Sequence, residues 1–288
     1  MSLQSPIPPV AQNSELVDFW NEILAPKFVR FRHVLVGGLS RHSEAVLPVL
    51  RVPAGGRVLD VGCGFGDTAI QLARTAREVV GVDCCEAFLD CARDEVRSAR
   101  ADNVRLIAGD VERGLNEGQF DFVFSRFGTM FFANPVAGLR AMRACLAPGG
   151  TLAHIVWRAR SDNPWVFDAL ETVREFLPAP DATARSCGPG PFSMADEETT
   201  RAQMQAAGFR DIEFQRIDAK VLVGRDIADA VAFQLAIGPA GETFRAAGAL
   251  AEERRPQIEA ALAAHFRTIA ERNGGLWMDS SSWLITAR

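Results

Sequence analysis

Apolar and polar positions along the chain repeat with two different periods. Largely apolar runs at 58–61, 78–82, 104–110, 120–125 and 151–157 read as strands buried on both faces. Between them the spacing becomes helical. Ala69, Leu72, Ala73 and Ala76 follow the first run, and Phe88, Ala92, Val96 and Ala99 follow the second. Asn134-Pro135 opens a further helix that ends near Pro148. Strands alternating with helices predict an α/β fold, a parallel sheet with helices on both faces.

The flanks of this alternation differ from it. Residues 1–12 hold three prolines and few large apolar residues, which predicts a flexible tail. Asn13 or Ser14 can cap a helix running to about Phe31, with Leu16, Phe19, Trp20 and Ile23 on one face. A second helix spans about 39–50, and Pro53 and Gly55-Gly56 end it. After Trp157 come a helix over 164–176, a Pro- and Gly-rich loop over 178–191, and a helix from Asp196 to about Ala207 with Gly208 as its stop. Residues 212–217 alternate as a sixth strand. Residues 226–272 are Ala-rich and helical, broken at Gly238-Pro239 and near Pro256, and 282–286 close the chain as a strand. The divisions are thus 1–12, 13–54, a core at 55–160, 161–225, a helical insertion at 226–280, and 281–288.

The first strand carries the most specific signal. Residues 58–66 read Val-Leu-Asp-Val-Gly-Cys-Gly-Phe-Gly: Asp60 lies inside an apolar strand, and Gly62, Gly64 and Gly66 strip side chains from the turn that follows. Such a turn before a helix lets backbone N–H groups approach a ligand closely. A dinucleotide fingerprint needs G-x-G-x-x-G, and its third glycine falls on Asp67 here, so a nicotinamide dehydrogenase is disfavoured. The second strand ends in Asp83, about 20 residues beyond the glycines, where an acid can accept hydrogen bonds from ribose hydroxyls. The third ends in Asp110, the fourth in Ser125-Arg126-Phe127, and Leu146-Ala-Pro-Gly-Gly150 turns into the fifth.

In order and spacing these five signals resemble the class I S-adenosylmethionine-dependent methyltransferases, specifically over about residues 55–160 and loosely to the end of the chain. The resemblance implies a doubly wound, seven-stranded, mostly parallel sheet whose last strand is antiparallel. The N-terminal helices and the helical insertion would form a lid over the ligand crevice. It also implies S-adenosylmethionine as cofactor. Asp60 would lie near the methionine ammonium, Asp83 at the ribose and Asp110 at the adenine amino group. Gly62, Cys63, Gly64, Gly66, Cys84, Val111, Ser125 and Arg126 would complete the cofactor site. The expected activity is methyl transfer to a small, mostly apolar metabolite. The alternatives are a non-catalytic cofactor-binding sensor or structural subunit, and methylation of RNA or protein. The N/D-P-P-Y/F motif that accompanies methylation of amide or base nitrogens is absent, and its place reads Ser-Arg-Phe-Gly.

Composition narrows the partners. The 288 residues are 48% apolar and 23% charged, ordinary for a globular protein. With 31 basic and 36 acidic residues the net charge is −5, and no basic stripe argues for nucleic acid. No run is long enough to span a membrane and the first residues lack a signal-peptide pattern, so a cytoplasmic protein without nucleic-acid or membrane partners is expected, as a monomer or homodimer. Six cysteines, at 63, 84, 85, 91, 145 and 187, show no metal-ligand spacing, and no metal is expected.

The candidate chemistry is sparse, as befits an activated methyl donor, where positioning supplies much of the rate. His33, just after the first helix, and Arg126 are the candidate catalytic residues. Arg126 is equally readable as a surface group, and His33 reads more readily as a surface histidine than as a base. His154 and His265 read as structural. Among the aromatic residues, Trp20, Phe28, Phe127, Phe131, Trp157 and Trp165 are the candidates for an apolar acceptor pocket.

Overall fold

The computed structural model describes residues 11–180, 188–269 and 271–288. Eight strands form one sheet: β1 (Arg57–Val61), β2 (Glu78–Asp83), β3 (Val104–Ala108), β4 (Phe120–Arg126), β5 (Leu146–Trp157), β6 (Glu213–Gly224), β7 (Glu271–Arg272) and β8 (Gly275–Ala287). Their order is β3-β2-β1-β4-β5-β8-β6, with the two-residue β7 beside β8. The first five are mutually parallel, and β8 runs antiparallel to both β5 and β6. Without β7 this is the expected seven-stranded sheet. The strand order reverses between β1 and β4, and the carboxyl ends of the strands open a crevice there.

The helices are α1 (Ala11–Phe19), a π-helical turn (Trp20–Leu24), α2 (Ala25–Arg30), α3 (Arg32–Val46), α4 (Asp67–Leu72), α5 (Glu86–Ala99), α6 (Pro135–Ala144), α7 (Pro164–Arg174), α8 (Glu197–Ala206), α9 (Ile227–Ala236), α10 (Gly238–Ala247) and α11 (Ala249–Phe266). Two cap residues read in the sequence hold, whereas Asn13 and Ser14 lie inside α1. Asn134 accepts from the Ala137 N–H at the start of α6, and Asp196 accepts from the Thr199 N–H at the start of α8.

Several boundaries are corrected. Helix begins at Ala11, inside the expected tail, whose residues 1–10 lie outside the described set. The single N-terminal helix is three segments joined through the π turn, and the next helix starts at Arg32, well before 39. The break expected near Pro256 falls instead at Gly248, and Pro256 sits inside α11, where it removes a backbone donor without ending the helix. β6 and β8 are about twice the expected length because they pair with each other along 213–224, which supplies an order that short-range alternation does not carry.

One buried cluster spans the sheet and its flanking helices. A second, smaller one joins Ala25, Phe31, Val34 and Leu35 of the N-terminal helices to Phe65 of the glycine turn, Phe88 of α5, and Phe233 and Ile237 of the helical insertion. The helical cover therefore has its own apolar core, and it is docked on the glycine turn itself.

Candidate functional site

The turn after β1 is built by its glycines. Gly62, Gly64 and Gly66 have φ of +66°, +51° and +81°, backbone that other residues reach only with strain. Their roles differ. A Cβ on Gly62 would lie 3.1 Å from the Gly128 Cα, and one on Gly66 would lie 3.0 Å from the Ala92 Cβ. A Cβ on Gly64 would meet nothing, so this glycine bares its backbone to open space. The Gly62 and Cys63 N–H groups donate to the Val82 carbonyl, Gly64 donates to Asp83 Oδ2 and Gly66 to the Cys63 carbonyl. These four N–H groups hold the turn in shape, and the Gly64 backbone faces open space.

Asp83 accepts from Gly64 at 2.9 Å and, through Oδ1, from the Cys85 N–H at 2.9 Å. Burial nonetheless holds its carboxyl above the ordinary range, the two backbone bonds acting the other way. Asp60 is fully buried. Its Oδ2 accepts from the Thr68 hydroxyl at 2.5 Å, and its Oδ1 has no partner among the described residues. Burial pushes this acid up to about 7.

Asp83 and the turn border one cavity of about 310 Å³, whereas Asp60 lies behind Thr68 and does not line it, which corrects its placement at the cofactor site. The cavity's sheet side carries Gly62, Cys63, Gly64, Thr68, Asp83, Cys84, Asp110 and Val111. Its other side is aromatic. Trp20 and Phe28 come from the N-terminal helices, Phe127, Phe131 and Trp157 from the ends of β4 and β5, and Trp165 from α7. Trp20 meets Phe131 edge-on at 4.9 Å across the crevice, and Phe127 stacks on Trp157 at 3.9 Å. Phe127 adopts a φ of +58° at the strand end, costly for a bulky residue, and this turns its ring onto Trp157. All six aromatic residues singled out in the sequence meet at this cavity.

Other sequence candidates lie elsewhere. Ser125 is buried and donates to the Val61 carbonyl at 2.7 Å, so it fastens β4 to β1 and does not reach the cavity. Gly66 is pressed on Ala92 behind the turn. His33 is corrected as a candidate base: its Nε2 bonds Asp229 at 2.8 Å in a shallow depression on the outer face, and it does not line the cavity. Arg126 does line it, yet its guanidinium is held by Asp67 in a two-point pair at 2.7 and 2.9 Å and by the Ser43 hydroxyl at 3.0 Å. That fork is occupied, which corrects its assignment as a catalytic group.

The remaining histidines do not supply a base. His154 is buried, bonded through Nδ1 to the Thr129 hydroxyl, and held neutral at about 3. His42, passed over in the sequence, sits between the Ser280 and Ser282 hydroxyls at 2.8 Å each, held neutral at about 4 by burial and by Arg126. Because Ser280 donates to the Ala219 carbonyl, it accepts from His42 Nε2–H, which fixes the tautomer and lets Nδ1 accept from Ser282. His265 of α11 lies 3.7 Å from Asp168 of α7. Cys187 lies outside the described residues. Asp83, Cys84 and Cys85 bring three ligand-type atoms within 4.8 Å, but Asp83 is already bonded to two backbone N–H groups.

Sequence reasoning missed four charged groups on the cavity wall: Lys27 of α2, Glu112 beside Val111, and Glu242 and Arg245 of α10. One signal was available. The chain's 31 basic residues are arginine except for Lys27 and Lys220, and Lys27 stands alone among apolar neighbours.

A family profile described as a methyltransferase domain matches residues 58–150, from β1 into the turn of β5. The core belongs to the class I S-adenosylmethionine-dependent methyltransferases. Among relatives of this methyltransferase core, demethylmenaquinone methyltransferase of Listeria welshimeri is 33% identical over 139 residues, which cover 46% of this chain and 59% of the relative's length. Ubiquinone/menaquinone biosynthesis C-methyltransferase of Ectopseudomonas mendocina is 27% identical over 228 residues, 74% of this chain and 89% of that protein. The YcgJ structure from Bacillus subtilis aligns with a TM-score of 0.54 at 17% identity, over 85% of this chain and 96% of its own, a likeness of fold.

The residues present fit the methyltransferase cofactor. The bare backbone at Gly64 admits close approach, and Asp83, which lines the cavity, keeps acceptor capacity for a ribose diol. Among the described residues no helix is long and apolar enough to cross a membrane.

Proposed function

We propose that this protein transfers a methyl group from S-adenosylmethionine to a small, mostly apolar metabolite. The observation that carries the reading is a single cavity with two unlike walls. One is a glycine turn flanked by carboxylates, suited to a nucleoside and an amino acid. The other is built from Trp20, Phe28, Phe131 and Trp165. The names of the Listeria and Ectopseudomonas relatives point to apolar acceptors of this kind.

The bound cofactor supplies an activated methyl on a sulfonium. This chain's residues then have three roles. Asp83 and the turn orient the donor. The stacked pair Phe127 and Trp157 gives the acceptor a flat, rigid surface at the end of the strands. The helices bearing Trp20, Phe28, Phe233 and Ile237 keep water out, so that little competes with an aligned nucleophile. No imidazole among the described residues lines the cavity, so the reading relies on positioning.

The test is transfer of label from methyl-labelled S-adenosylmethionine into solvent-extractable products of a metabolite extract, beside calorimetry with S-adenosylhomocysteine. Binding without transfer to any fraction would leave a cofactor-binding subunit. Absence of binding would overturn the cofactor assignment as well.

A further inference from the structure

The aromatic half of the cavity contains one charged cluster. Lys27 projects from α2, and Glu242 and Arg245 lie one turn apart on α10; all three line the wall. Arg245 is partly engaged, with Glu242 at 3.9 Å and the Phe19 ring at 5.3 Å. Lys27 differs. It is half-buried, it has no ion-pair partner among the described residues, and the charge that acts on it is the like charge of Arg245. The same wall carries Leu16, Trp20, Leu24 and Ile237, whose side chains offer an ammonium no acceptor.

Drawing a cation out of water beside another cation is unfavourable unless an anion meets it. Lys27 itself is the cation that no carboxylate among the described residues meets. A lysine ammonium also suits this role. It is a compact point charge with rotatable donors on a flexible stem, able to follow a carboxylate of variable position. We infer that the acceptor is an apolar carboxylic acid, and that Lys27, aided by the field of Arg245, binds its carboxylate under the helical cover. This deepens the methyltransferase reading and rests on the aromatic half of the cavity being the acceptor site. The acid group then lies against α2 and α10, and the position to be methylated points back toward the glycine turn. Lys27 is a specificity-determining residue here, not a catalytic one.

The test uses matched probes, since the natural acceptor is not identified. 2-Naphthoate and decanoate are titrated against their primary amides by calorimetry, into full-length protein with and without saturating S-adenosylhomocysteine. The expected result is tighter binding of each acid than of its amide by about tenfold or more, the worth of a charge-assisted hydrogen bond. Lys27→Met should bring acid and amide together, and Lys27→Arg should restore most of the preference. Thermal melts of both variants separate this from misfolding, and a preference that Lys27→Arg restores cannot come from lost packing. Equal binding of acid and amide to the wild type, a preference that survives Lys27→Met, or no binding of either acid at millimolar concentration overturns the inference. The methyltransferase reading fails separately, on S-adenosylhomocysteine itself.

Discussion

The Asp83 carboxylate and the Gly64 N–H are joined by a 2.9 Å hydrogen bond across the mouth of the glycine turn. The acid expected to meet the cofactor thus also sets the shape of the loop on which the cofactor rests. Asp83→Ala should weaken S-adenosylhomocysteine binding by about ten- to a hundredfold, since charge-assisted bonds of ~1.5–3 kcal/mol are lost and the turn loosens. Calorimetry reads this directly. Unchanged affinity would remove Asp83 from the site.

The glycines of the turn should separate stability from binding. Gly64→Val puts a side chain where nothing obstructs it, so the fold should survive with the ~1–2 kcal/mol cost of left-handed backbone while cofactor binding is lost. Gly62→Ala drives a methyl onto Gly128 and should lower the melting temperature further. Equal melting temperatures for the two variants, or normal binding by Gly64→Val, would refute this division.

Asp60 predicts a pH dependence of known sign. Its folded value near 7 stands above the ordinary 3.8, so the folded protein holds the extra proton between about pH 4 and 7. Stability from this group is present at low pH and is lost as pH rises through that window, by a few kcal/mol. His42 and His154, held neutral at about 4 and about 3, contribute oppositely: they lose stability as pH falls below 6.5. The wild-type curve mixes the two, so the check is the difference between wild type and Asp60→Asn in urea melts across pH. A difference that stays constant from pH 4 to 8 would refute the assignment.

The cover should respond to ligand. Amide exchange in 15–30 and in 227–247 should slow when S-adenosylhomocysteine and an apolar acid are bound, because cover and turn share the cluster of Phe31, Phe65, Phe88 and Phe233. The interior of the sheet should change little. Mass spectrometry of exchanged peptides measures it, and unaltered protection in both segments would show that the helices only complete the core.

The sequence carried the sheet's parallel half because each strand there ends in a local mark. Asp83, Asp110 and the Gly62 turn all sit at strand ends that face the crevice. It carried little about the antiparallel half, where β6 and β8 gain their length from pairing across more than fifty residues. Site residues followed the same rule. Aromatic residues near strand ends were legible, but whether Arg126 or His33 had a free functional group was not, because their partners Asp67 and Asp229 are distant in sequence. Lys27 and Arg245 meet only through the cover, and no short-range pattern joins them.

The contact between Gly62 and Gly128 bears on how this scaffold could be re-engineered. A Cβ on Gly128 would lie 3.2 Å from the Gly62 Cα and 3.1 Å from the Val61 carbonyl oxygen, so neither position has slack to lend the other. Compensating changes at the two sites are therefore closed: enlarging one cannot be rescued by any residue at its mate, glycine being already the smallest. A combinatorial library aimed at new acceptors should freeze this pair and place its diversity on α2, the π turn and α10, where the wall can be rewritten without moving the donor's seat.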